Sequence, residues 1–102
     1  MKKVAAIVPD LMDRSRIDAA LSIPVHYVNT VDSLGAAAFD IVIADLGHID
    51  DPSTLRRAAP VARLIVFGSH VDEALLESAR RAGIDDVLPR SVFFRRIGEL
   101  LS

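Results

Sequence analysis

The chain has 102 residues, a formal net charge of −2 at pH 7 with acids and bases interspersed, no cysteine and no tryptophan. That length suits one domain with a single modest core, and the charge leaves no basic surface for nucleic acid. The missing cysteine excludes disulfides, thiolate chemistry and Cys-based zinc sites together.

In chain order, the first apolar run is Val4 to Val8, preceded by Lys2-Lys3. It imitates the start of a signal peptide but stops at Pro9-Asp10, far short of a secretory apolar region, and no segment approaches the roughly 20 apolar residues of a membrane span. The expectation is a soluble, cytoplasmic protein with no membrane contact. Asp10 is placed to cap a helix running to about Leu21, ended by Ser22 and Pro24. Val25 to Val28 follows as a strand; His26 interrupts it and suits an edge. Val31 to Ala38 is a short second helical segment containing Gly35.

Phe39-Asp40-Ile41-Val42-Ile43-Ala44-Asp45 is the most informative stretch. Its uninterrupted Ile/Val/Ala run is what a strand buried on both faces needs, and it ends in a carboxylate just before the turn-forming Leu46-Gly47-His48. Asp51-Pro52 then reads as an N-cap with proline at the first helical position, for a helix that must stop before Pro60. Leu64 to Phe67 is a fourth strand. Ser69 with Asp72 resembles a capping box, and the helix it opens is expected to bury Val71, Ala74, Leu75, Ser78 and Ala82 along one face. Glu77 and Arg81 pair on its other side, and Gly83 supplies a left-handed cap. Val87-Leu88 is the fifth strand. Ser91 is expected to cap a last helix with an apolar stripe of Phe93, Ile97, Leu100 and Leu101.

Strand–helix alternation over five units means parallel strands joined by right-handed crossovers. With an edge-like second strand and a buried first, the expected fold class is α/β: a flavodoxin-like, doubly wound five-stranded sheet of order 2-1-3-4-5 with helices on both faces. Its switch point lies between strands one and three, so Asp10 and Asp45 are expected to face one crevice. Gly68-Ser69-His70 and Arg90 line the same edge.

Over essentially its whole length the chain resembles the receiver domain of two-component response regulators. Val4–Asp10, Phe39–Asp45 and Leu64–Ser69 carry the likeness, continued by Ala79-Arg80-Arg81-Ala82-Gly83-Ile84-Asp85-Asp86-Val87-Leu88-Pro89-Arg90-Ser91. The resemblance implies a signalling role in a phosphorelay, with Asp45 phosphorylated by a histidine kinase or a small phosphodonor. It implies Mg²⁺ held by Asp10, Asp45 and the Gly47 carbonyl, and Ser69 and Arg90 against the phosphoryl group. Such a carboxylate needs its charge and that of the phosphoryl oxygens offset by a hard cation and a positive side chain.

The chain departs from the family pattern at several positions. Pro9 stands where the first acid of a pair is expected, Gly68 where a Ser or Thr is, and Arg90 where a Lys is. Losing one carboxylate weakens Mg²⁺ binding, and a planar guanidinium is not a compact ammonium. The competing reading is a phosphorylation-independent interaction module, with at most phosphoacceptor activity.

A resting Arg90–Asp45 salt bridge is expected. Histidines 48 and 70 with Asp10 and Asp45 form a remoter candidate transition-metal set. A nucleotide or flavin ligand rests on fold analogy alone. Phe94, turned about 100° from Phe93 and flanked by Arg95 and Arg96, reads as an exposed anchor for a partner or for a homodimer through the last helix. The chain stops just after that helix, so output is expected to pass through a protein partner unless this is one part of a longer protein.

Overall fold

The computed structural model describes residues 2–36 and 38–101. Five parallel strands, β1 (Val4–Ile7), β2 (Val25–Tyr27), β3 (Ile41–Asp45), β4 (Arg63–Gly68) and β5 (Asp86–Pro89), form one sheet. Their order is β2-β1-β3-β4-β5, the expected flavodoxin-like arrangement. Four α-helices accompany them: α1 (Leu11–Ala20), α2 (Pro52–Ala58), α3 (Glu73–Arg81) and α4 (Arg90–Leu100). The segment expected to be helical over Val31 to Ala38 forms a 3₁₀ turn over Val31–Ala36, and Ala37 lies outside the described residues. A β-branched start and Gly35 make this stretch a poor α-helix.

The central strands alternate strictly between two cores. Ala5, Ile7, Val42, Ala44, Leu64 and Val66 face Leu34, Leu55, Leu76 and Ala79 from the 3₁₀ turn, α2 and α3. Val4, Ala6, Ile43, Ile65 and Phe67 face Ile17 of α1 and Phe93, Ile97 and Leu100 of α4. Both faces are covered, which explains the nearly continuous apolar runs of β1, β3 and β4. Among the described residues no helix is long and apolar enough to cross a membrane.

Two helix starts differ from expectation. Asp72, not Ser69, caps α3, accepting from Leu75 N–H at 3.1 Å. The helix therefore begins at Glu73, and its buried residues are Leu76 and Ala79. Val71 precedes the helix and stays 78% exposed, and Ala74 and Ser78 are exposed too. At the other end the cap forms as expected: Gly83 takes φ +85°, and Ile84 N–H reaches back to the Ala79 carbonyl. Helix α4 begins at Arg90, two residues earlier than a Ser91 cap implies, with Pro89 as its cap residue and no side-chain cap bond, so Ser91 does not cap it.

The outer strands are short. β2 has three residues and follows Pro24, while β5 has four and ends at Pro89, opposite Gly68.

Charged side chains tie the N-terminal edge of the sheet together. Arg63 donates to Asp86 Oδ2 at 2.9 Å and to the Leu100 carbonyl at 2.7 Å. Asp85 Oδ2 accepts Leu64 N–H at 2.7 Å and Arg56 Nη1 at 3.2 Å. Burial works against the Asp85 charge, but the Leu64 N–H and Arg56 and Arg63 outweigh it and hold the carboxyl below its usual range. A depressed acid contributes stability that is present above its unfolded pKa and lost as pH falls through the folded one. Asp85→Asn is therefore expected to lower the urea midpoint at pH 7 and to shrink that difference below about pH 4. An equal difference at both pH values would contradict this.

Candidate functional site

The C-terminal ends of the strands form the edge where open α/β folds collect ligands. Asp45 is the last residue of β3, and its side chain is 15% exposed. It caps the 3₁₀ turn Leu46–His48, with Oδ1 accepting Gly47 N–H at 3.0 Å. A Cβ at position 47 would lie 3.3 Å from that oxygen, so glycine suits the close approach. Oδ2 faces His48 Nε2 at 3.9 Å. Beside this turn a cleft of about 320 Å³ opens between the loops after β2 and β3, lined by Ile7, Asn29, Thr30, Asp32, His48 and Asp50 among others.

Asp10 lies exposed after β1, its Oδ1 accepting Asp13 N–H at 3.0 Å as the cap of α1. Each of the two carboxylates thus has one oxygen on a backbone amide. Ser69 is exposed after β4 and receives Val71 N–H on its hydroxyl at 3.4 Å. Gly68 is buried, and a Cβ there would meet Leu76 and Leu46 at 3.4–3.5 Å, an ordinary van der Waals contact. Among the described residues no three His, Asp or Glu side chains gather as a metal set, so His48, His70, Asp10 and Asp45 do not form the transition-metal cluster considered from sequence.

Arg90 is the main departure. Its Nη2 pairs with Asp13 Oδ1, not with Asp45. Asp13 lies in the first turn of α1 and is 3% exposed, whereas the Arg90 side chain is 42% exposed. Sequence reasoning missed Asp13. The available signal was its spacing: Asp13 and Ile17 stand at i, i+4 on the inward stripe of α1, where an acid needs a partner.

Phe94, expected to be exposed, is half-buried. Its ring meets Phe93 edge-on at 4.9 Å and Phe67 at 5.3 Å. The Arg16 guanidinium lies 4.0 Å from its centroid and that of Arg90 lies 5.0 Å away. Arg95 and Arg96 stay exposed, and Arg96 approaches Glu99 at 3.6 Å.

No family model and no curated protein matches the chain. Its fold is similar to that of solved response regulators. One, from Burkholderia pseudomallei with a phosphorylated aspartic acid, a calcium ion and citrate, superposes with a TM-score of 0.80 at 19% identity, covering 100% of this chain and 67% of that one. A response regulator from Thermotoga maritima gives 0.79 at 16% identity, covering 99% and 94%. One from Hahella chejuensis gives 0.80 at 17% identity, covering 98% and 92%. The chain thus has the fold of response-regulator receiver domains.

Proposed function

We propose that this receiver-fold chain is a cytoplasmic signalling module that presents its α1–α4 side to a protein partner, in a conformation set without phosphorylation. The observation that carries this reading is the commitment of Arg90. The cation that a phosphoryl group on Asp45 would require is bound to Asp13, a carboxylate that is itself buried. A histidine kinase or a downstream target fits as partner, and so does a second copy through α4.

The second reading is phosphorylation at Asp45. Its position at the end of β3 favours it, as does the phosphorylated aspartic acid of the Burkholderia pseudomallei neighbour. The donor set fits Mg²⁺ at its low end: Asp10 and Asp45 each have an oxygen not held by a backbone amide, Gly47 offers a carbonyl, and water supplies the rest. Bound there, the ion would offset charge on the attacking carboxylate and the phosphoryl oxygens. Ser69 and Arg90 complete this set, with Arg90 having first to leave Asp13.

Incubation with acetyl phosphate and Mg²⁺, followed by intact-mass measurement, separates the two. The first reading predicts no added phosphoryl unit, and an Asp45→Asn chain that binds its partner as the native one does. A phosphoryl gain that disappears in Asp45→Asn would replace the first reading by the second.

A further inference from the structure

Asp13 is the buried charged side chain among the described residues. A carboxylate withdrawn from water persists in a fold only when a counter-charge meets it. Arg90 supplies that charge from the first turn of α4. Asp13 and Arg16 stand three residues apart on α1, Arg90 and Phe94 four apart on α4, so each pair occupies one helix face. Asp13 takes Arg90 while Arg16 lies over Phe94, two links between the same two helical turns. The Arg90 guanidinium also lies 5.0 Å from the Phe94 centroid and 5.5 Å from that of Phe67, and the Phe67 ring stacks on Phe93 at 4.5 Å. One cation thus serves a buried acid and two rings of the core.

We propose that the Asp13–Arg90 pair, backed by Arg16 on Phe94, is a latch that fixes the opening turns of α1 and α4 together and withholds Arg90 from Asp45. The inference deepens the reading of Asp45 as the end of a functional edge and rests on it. An anion at Asp45 can recruit Arg90 only by stranding Asp13, a buried carboxylate, without a partner. The latch therefore keeps the α1–α4 side in one arrangement, and neutralising Asp13 releases Arg90 for a phosphoryl group.

The test combines a stability cycle with a ligand response. Asp13→Asn, Arg90→Gln and the double variant are unfolded in urea. The pair is expected to show a coupling of at least roughly tenfold in the unfolding equilibrium constant. Arg90→Gln, which strands a buried acid, is expected to lower the midpoint more than Asp13→Asn, which leaves a half-exposed cation to water. Coupling below roughly twofold, or the opposite order of midpoints, overturns the latch.

In parallel, amide spectra are recorded with Mg²⁺ and beryllofluoride, a phosphoryl mimic. The native chain is expected to show no shifts in α4. Asp13→Asn is expected to show them, and Asp13→Asn with Asp45→Asn to lose them again. An equal response from the native chain overturns the withholding of Arg90. Silence in both proteins also overturns it; if the coupling persists, that failure belongs to Asp45 as an anion site and not to the link between the helices.

Discussion

Phe67→Ala is expected to lower the free energy of unfolding by about 3–5 kcal/mol and the melting temperature by on the order of 20 °C. Phe67 is fully buried in the middle of the α1–α4 core, stacked on Phe93 and edge-on to Phe94. Truncation removes its buried area and leaves a cavity between the sheet and α4 that rigid strands on either side cannot close. It also removes a ring from beneath the Arg90 guanidinium, so the Asp13–Arg90 link should loosen with the core. Phe67→Leu fills most of that space and should lose much less. Urea unfolding measures both, and a loss below about 1 kcal/mol for the alanine variant would show that α4 does not depend on this ring.

The second large effect is expected at the opposite edge of the sheet. Arg56 donates to the Ala59 carbonyl at 2.9 Å, the Gly83 carbonyl at 3.1 Å and Asp85 Oδ2 at 3.2 Å, and also to the Ala62 carbonyl. One guanidinium thereby joins the end of α2, the start of β4 and the turn between α3 and β5. Its Nε is buried without a partner, an unfavourable term that the other four bonds must exceed. Arg56→Met keeps the apolar stem but leaves three carbonyls without this donor, at a cost of about 2–4 kcal/mol. Arg56→Lys should recover less than half of that, because a single ammonium cannot span acceptors spread across a planar fork. Faster amide exchange at Gly83 and Ile84 in both variants would locate the loss, and unchanged exchange there would contradict it.

The difference between these two edges also explains what could be read in advance. β1, β3 and β4 were legible because strands buried on both faces must be apolar throughout, so Val4–Val8, Ile41–Ala44 and Leu64–Phe67 announced themselves. Asp10, Asp51 and Gly83 were legible because caps are local: each acts on a residue two or three positions away, or through its own φ. Ser69 and Ser91 misled for the same local reason. Either could cap a helix, and only the placement of the chain decided that Asp72 and Pro89 stand at the starts of α3 and α4.

The partner of Arg90 lay beyond such reasoning. Asp13 is 77 positions away in sequence, and an aspartate in the first turn of a helix is already explained by the helix dipole. Phe94 was misplaced because helical spacing gives a direction but not what fills it, and Arg16 arrives there from another helix. Asp45 sits where it was expected, at the end of β3. What surrounds it was only half legible, because the identity of a cation says nothing about which acid claims it.

The short outer strands govern how another protein can approach this one. Pro89 has no N–H to offer, and three residues after Pro24 present too little backbone to template a new strand. Extension of the sheet by a neighbour, through main-chain bonds indifferent to side-chain identity, is thereby discouraged at both ends. Recognition of another protein is thereby directed towards its helices and loops. Single surface substitutions can then retune the choice of partner while the sheet stays unchanged.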